Sequence, residues 1–254
     1  MNDEIKPSDL VDGLRKGLEV ILAFDDASPQ MTQSELALRI DLSRAAARRY
    51  LLTLTALGYM ASDGKNFWLT PKVMQLGRSF TASSRLPRTI QPELQALTER
   101  CGESTNFAVL EDTEAVYVCC ANANRLLSTG IEPGTRLPAY TSTAGRLLAS
   151  FLDDHALDRW IKKSAPRAHT TFTVTEPATL KREIMRMRKQ AYGITESQFE
   201  PGLRGISVPL RDSANNLVGA LSVSMAVSAM TASSAIKKLV PLLNETAARL
   251  AQKL

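Results

Sequence analysis

Apolar residues first recur at helical spacing between Gly13 and Phe24, where Leu14, Leu18, Ile21 and Leu22 share one face. That spacing predicts an amphipathic helix with its apolar stripe turned to a core. Asp25-Asp26-Ala27-Ser28-Pro29 ends it. Thr32 then has the chemistry of an N-cap, with Glu35 three residues on to complete a capping box. A second short helix ends at Asp41-Leu42, and Ser43 caps a third that stops at Gly58. The third helix is apolar behind, at Ala47, Leu51 and Leu54, and basic in front, at Arg44, Arg48 and Arg49. Two strand-like runs between Tyr59 and Pro71 flank Asp63-Gly64, a hairpin signature. Three helices followed by a hairpin predict a winged helix-turn-helix over residues 13–71.

From Lys72 to about Ser84 the chain reads as a short helix passing into small polar residues, and residues 72–85 are assigned as a linker helix. Beyond it, over 86–254, the pattern alternates. Helical spacing covers Pro92 to Cys101, Thr143 to Leu152, His155 to Lys162, Thr179 to Tyr192 (with Gly193 as its cap) and Ser233 to Lys253. Strand-like runs cover Ser104 to Leu110 and Ala115 to Ala121, joined by the acidic turn Glu111 to Glu114. Ile206 to Leu210 and Leu217 to Ser224 pair around Asn215-Asn216. Strands in antiparallel pairs with helices between them predict an α+β second domain.

Composition narrows the class. The 254 residues are 44% hydrophobic and 22% charged, which suits a globular chain of one small and one medium domain. The start, residues 1–12, is an acidic tail with Asp3, Glu4, Asp9 and Asp12, unlike a signal peptide. No apolar run approaches membrane-spanning length, so no membrane partner is expected and the cytoplasm is the expected compartment. The net charge of +5 points only weakly to a polyanion, but its placement is sharper. Between Leu42 and Ser62 the only charges are Arg44, Arg48 and Arg49, and local basicity on one helix face is a nucleic-acid signal.

The candidate DNA contacts are therefore Thr32 and Gln33 at the start of the second helix, Ser43, Arg44, Ala45, Ala46, Arg48 and Arg49 on the third, and Lys65 and Asn66 in the wing. Arg44 has the reach for a bidentate guanine contact; Arg48 and Arg49 suit bases or phosphates. Small Ala45 and Ala46 let the backbone approach base edges. The same spacing also occurs in protein–protein modules, and three arginines also fit a solvated face.

Catalytic chemistry finds little material. The two histidines, His155 and His169, fall in a helix start and a polar loop, as surface histidines do. No GxSxG, P-loop or GxGxxG occurs. Cys101, Cys119 and Cys120 include no CxxC and no paired Cys/His spacing, which predicts buried free thiols rather than a disulfide framework or a metal site. No catalytic residue, metal or cofactor is assigned, though a small-molecule enzyme in the second domain remains the alternative. A ligand pocket is better supported. Thr141 to Gly145 (TSTAG) concentrates hydroxyls and small residues, including Ser142, Thr143 and Ala144, at a helix start that favours a carboxylate. Gly202 to Ser207 (GLRGIS) sets Arg204 beside glycines, and Ser222 and Ser224 share a strand face. Each also fits an ordinary cap, turn or half-buried strand; together they form a candidate anion site.

The stretch SRAAARRYLLTLTALGY with its DG turn and FWLTPKVMQLG, then GTRLPAYTSTAGRLLASFL, AYGITESQFEPGLRGISVPL and NNLVGALSVS, closely resembles the IclR family of transcriptional regulators over nearly the whole chain after the acidic tail. SRAAARR and GTRLPAY are most similar to the branch controlling protocatechuate, 4-hydroxybenzoate and β-ketoadipate catabolism. The resemblance implies a GAF-like effector-binding domain, homodimers or dimers of dimers on near-palindromic DNA operators, and a small carboxylate effector. Carried over by motif, the effector residues are Thr143, Ala144, Thr195, Leu203, Arg204, Gly205, Ser222 and Ser224. The chain departs from the family pattern at Gln198 and Thr195, where acids are usual, which makes the implied pocket less hostile to anions.

Overall fold

The computed structural model describes residues 6, 9–123 and 131–254; Asp3 and Glu4 of the acidic start lie outside the described residues. The chain divides into two compact units, one through Ser83 and one from Ser84 to Leu254.

The first unit contains α1 (Asp12–Leu22), β1 (Met31–Thr32), α2 (Gln33–Arg39), α3 (Arg44–Ala56), β2 (Met60–Ser62), β3 (Asn66–Leu69) and α4 (Met74–Ser83). The capping box is present: Thr32 Oγ1 accepts from Glu35 N–H at 3.3 Å while Glu35 Oε2 accepts from Thr32 N–H at 2.7 Å. Asp41, with φ of 51°, sits in the left-handed region between α2 and α3, a conformation a short polar side chain tolerates. Leu42 N–H then closes on Ala37 O at 2.9 Å, so the turn is tight. The wing is three-stranded, in the order β1-β3-β2. Two-residue β1 is too short to show alternation in the sequence.

One expectation reverses in α1. Val20 and Ile21 are buried with Leu36, Leu51 and Leu54, but Leu14, Leu18 and Leu22 are 65%, 47% and 80% exposed. The apolar stripe is wider than the face that meets this unit's core, and most of it is left uncovered within the unit.

The second unit is a six-stranded antiparallel sheet in the order β6-β5-β4-β9-β8-β7, from β4 (Ser104–Glu111), β5 (Glu114–Ala121), β6 (Arg136–Pro138), β7 (Gly193–Glu196), β8 (Leu203–Arg211) and β9 (Leu217–Ala226). Two helices, α5 (Arg85–Cys101) and α9 (Ala232–Ala251), pack Ile90, Leu94, Leu239 and Leu243 against Phe107, Ile206, Val208 and Val223. The opposite face carries α6 (Thr143–Ala149), α7 (Asp154–Ser164) and α8 (Pro177–Gln190), which bury Leu147, Leu157, Trp160 and Ile184 with Ala108, Tyr117 and Ala220. Adjacent Phe107 and Ala108 serve opposite cores because successive strand residues alternate sides.

Several boundaries differ from the sequence expectation. Helix α5 begins at Arg85 rather than Pro92, which lies inside it. Burial of Pro87, Ile90 and Leu94 on one stripe outweighs the backbone bond that proline removes. Helix α8 ends on Ala191, at φ of 56°, whereas Gly193 opens β7. A Cβ on Gly193 would lie 2.9 Å from Met187 Sδ, so that glycine serves close packing rather than capping. The vicinal cysteines point apart, Cys119 into one core and Cys120 toward the other, and burial pushes their thiols up to about 11 and about 12.

Candidate functional site

In the first unit, Ser43 caps α3 by accepting from Ala46 N–H at 3.2 Å, which leaves Arg44 and Ala45 at the exposed start of the helix. The other face seats Ala47, Leu51 and Leu54 in the core, so the helix is fixed from behind. Arg44, Arg48 and Arg49 are exposed and form no ion pair among the described residues. Thr32, Gln33, Arg48 and Lys65 line one open groove between the helix pair and the wing. Ala46 and Asn66 are half-buried. Asn66 also braces the wing turn: its carboxamide donates to Asp63 Oδ2 at 3.1 Å. Asp63 Oδ1 also accepts from Lys65 N–H and Asn66 N–H at 2.8 and 2.7 Å, which holds its carboxyl down at about 2. Gly64 supplies the positive φ, 97°, that the turn requires, and Lys65 projects from it exposed. At the far end of α3, Lys72 Nζ donates to Leu57 O at 2.8 Å over the Tyr59 ring, a cationic cap on the helix C-terminus.

In the second unit, the sheet face beneath α6 holds a small cavity of about 40 Å³. Nine of the ten expected effector residues line it: Thr141, Ser142, Thr143, Ala144, Thr195, Leu203, Gly205, Ser222 and Ser224. The exception is Arg204. Strand alternation turns Leu203, Gly205 and Ser207 to the cavity and Arg204 to the other side of β8. There its buried guanidinium donates to Glu196 Oε1 at 2.7 Å and to Met230 O at 2.5 Å, so it is structural rather than an anion ligand.

The upper wall is the start of α6. Ser142 Oγ accepts from Gly145 N–H at 2.9 Å, leaving Thr143 and Ala144 N–H as helix-start donors without an intrahelical acceptor. The helix reaches the sheet because two glycines allow it. A Cβ on Gly145 would stand 2.4 Å from Ala139 O, and one on Gly205 would stand 2.1 Å from Thr143 Oγ1. The Thr143 and Thr195 hydroxyls bond each other across that gap.

Sequence reasoning did not single out the rest of the lining. Asn106, Tyr117, Ile131, Leu137, Phe199 and Ser207 complete the wall with Gln198. Burial pushes the Tyr117 phenol up to about 12, partly offset by a hydrogen bond with Ser142. Asn106 and Ser207 carried a readable signal, since each is polar at an inward strand position beside apolar neighbours. Gln198 is more than a missing acid. Its Oε1 accepts from Arg146 Nη2 at 2.5 Å and from Val174 N–H at 2.9 Å, while its Nε2 donates to Phe172 O at 2.8 Å. Arg146 itself is only 1% exposed. It also donates to Glu183 Oε2 and Tyr140 O, both at 2.5 Å, and burial lowers its pKa. His155 and His169 are both exposed; the His169 ring packs against Phe199 at a tilt of 39° with ring centroids 5.2 Å apart. No lining residue carries a formal charge, and no cluster of metal-ligating side chains occurs among the described residues.

A basic helix-turn-helix with a wing in one unit and a small cavity lined by hydroxyls and apolar side chains in the other define a ligand-responsive, DNA-binding transcriptional regulator. The two domain descriptions that match the chain agree: an IclR helix-turn-helix domain over residues 13–64 and a bacterial transcriptional regulator IclR C-terminal domain over 79–252. The chain belongs to the IclR family. It is 35% identical to the Pca regulon regulatory protein of Pseudomonas putida over 92% of this chain and 81% of that one. It is 31% identical to the p-hydroxybenzoate hydroxylase transcriptional activator of Acinetobacter baylyi, over 97% and 93% of the two chains. The crystal structure of a putative transcriptional regulator from Rhodococcus sp. RHA1 superimposes with a TM-score of 0.84 at 36% identity, covering 96% of this chain and 98% of that one. These relatives are regulators of transcription rather than enzymes. No helix among the described residues is long and apolar enough to cross a membrane.

Proposed function

We propose that this regulator acts in the cytoplasm on a catabolic operon and senses an aromatic or ring-cleavage carboxylic acid. The carrying observation is the cavity itself. Tyr117, Phe199, Leu137 and Leu203 offer apolar surface for a flat ring, while Thr143, Ala144 and the strand serines offer donors at its edges. The name of the Acinetobacter relative, an activator of a p-hydroxybenzoate hydroxylase, supports the same ligand class. The working parts are then the reader at 13–71, the linker at 72–85 and the sensor at 86–254. A ligand changes transcription only by preferring one of two arrangements of these parts, and the linker is where that preference reaches the reader. The direct test is operator binding at fixed salt with and without a panel of aromatic acids. An operator complex that no acid on the panel shifts would sink the sensing half of the proposal. For the reader, Arg44→Ala is expected to weaken cognate operator binding by about 1–3 kcal/mol, roughly five- to 150-fold, as loss of a bidentate base contact does. Unchanged gel-shift affinity would remove Arg44 from base readout.

A second copy of the chain is the proposed cover for the apolar stripe of α1. Leu14, Leu18 and Leu22 stand exposed in the same unit as the reading helix, and a near-palindromic operator needs two readers related by a two-fold axis. Leu18→Glu is expected to shift the mass seen by light scattering toward the monomer and to weaken operator binding. An unaltered oligomer mass would place the interface elsewhere.

A further inference from the structure

The cavity beneath α6, at about 40 Å³, has room for a few water molecules and far less than a ring-bearing acid needs. Admitting such a ligand displaces part of the wall, and the wall is unevenly held. Asn106, Tyr117, Leu137, Thr195, Ser207 and Ser222 stand on strands of one hydrogen-bonded sheet. Thr143 and Ala144 start α6, which packs onto Gly205 too closely to admit a Cβ there and is tied to α8 by Arg146 and Glu183. Gln198 is bonded to Arg146, Val174 and Phe172. Phe199 is different: it is half-buried and makes no hydrogen bond among the described residues. The chain is pinned on both sides of it. Thr170 Oγ1 donates to Ser197 O at 2.5 Å and Thr173 Oγ1 to Gln198 O at 2.7 Å, while Gly202 O accepts from Val227 N–H at 2.7 Å. The Phe199 ring meets the His169 imidazole. That imidazole is set in place by the Tyr140 hydroxyl, 3.1 Å from Nε2, and by Thr173 Oγ1, which accepts from His169 N–H at 3.0 Å. A side chain on a pinned backbone moves by turning between staggered wells, a local motion that leaves the sheet ladder and α6 intact.

We propose that Phe199 is an aromatic gate on the cavity, held shut by His169, and that a ligand enters by displacing this one ring; this rests on the reading of the cavity as the effector site. Shut, the ring fills the space beside the lining hydroxyls. Turned out, it vacates a ring-sized volume there and becomes part of the mouth. His169 does not line the cavity and acts through Phe199, so it is a positioning residue. A gate of this kind sets how fast the sensor fills and empties without a rearrangement of the fold.

The test needs no ligand. In the full chain carrying Ser222→Cys, the rate of labelling by methyl methanethiosulfonate reads access to the cavity floor, with the chain's own three cysteines as background. Adding Phe199→Ala should raise the rate at position 222 tenfold or more, and adding His169→Ala threefold or more. His169→Phe keeps a ring against Phe199 and should stay within twofold of the parent. Phe199→Leu, with the same direction expected, serves where Phe199→Ala does not fold, and Ser224→Cys replaces Ser222→Cys on the same terms. A rate unchanged by the Phe199 variants would overturn the gate, and one unchanged by His169→Ala would overturn the role of His169. Equal acceleration at Cys119, buried in the opposite core, would report general loosening and overturn both. Should no aromatic acid bind the chain, the acid-sensing reading falls, while the labelling rates still decide the gate.

Discussion

Arg146→Ala is expected to destabilise the second unit by about 3 kcal/mol or more, read as a lowered urea midpoint for that unit's transition. Removing one partner of a buried ion pair typically costs about 3–5 kcal/mol because the remaining groups stay desolvated. Here Glu183 is 28% exposed, so water relieves part of that cost, and the lower end of the range applies. Three acceptors would be orphaned together: Glu183 on α8, Gln198 in the loop after β7, and Tyr140 O before α6. Arg146→Lys should recover little, since one ammonium cannot reproduce the planar fork that meets three acceptors. A midpoint that moves by less than about 1 kcal/mol would show that the loop finds other partners.

The second large effect is expected at Gly205. Valine there places a Cβ where Thr143 Oγ1 lies 2.1 Å and Thr143 Cβ 3.0 Å away, and its methyls project into the cavity. Thr143 cannot simply rotate clear, because its hydroxyl is bonded to Thr195 and its backbone starts α6. Overpacking of this kind costs about 1–3 kcal/mol of stability, and the ligand consequence is larger in kind. Effector binding by calorimetry should fall at least tenfold, about 1.4 kcal/mol, while operator affinity in the absence of ligand stays within about threefold. Wild-type effector affinity in Gly205→Val would exclude this cavity as the ligand site.

The sequence was most legible where a signal is local. Thr32 with Glu35, Ser43, and Asp63-Gly64 each place a cap or turn within a few residues, and the structure has all of them. Long periodic runs such as β4, β5 and α9 were legible for the same reason. What depends on a distant partner was not. TAGRLLA reads as a small-residue helix start, and nothing in it tells that Arg146 will find Glu183 and Gln198 some 37 and 52 residues on. Arg204 looked like an anion ligand because GLRG is a loop-like string, whereas β8 runs through it and alternation sends the side chain to the far face. The α1 stripe was read as core because amphipathic spacing alone does not say what covers the apolar side. The bond from Asn66 to Asp63 is likewise invisible without the turn's geometry.

The absence of any formal charge on the cavity lining separates the two halves of this molecule in their response to electrolyte. On the proposed reading, an anion held by backbone N–H groups and hydroxyls beneath α6 is less screened by mobile ions than charges on an exposed face. If Arg44, Arg48, Arg49 and Lys65 meet the phosphates as proposed, operator binding releases counterions from DNA and weakens steeply as salt rises. On the proposed reading, occupancy of the sensor tracks the concentration of the acid alone, while grip on the operator tracks the ionic composition around it, and the chain's output combines the two.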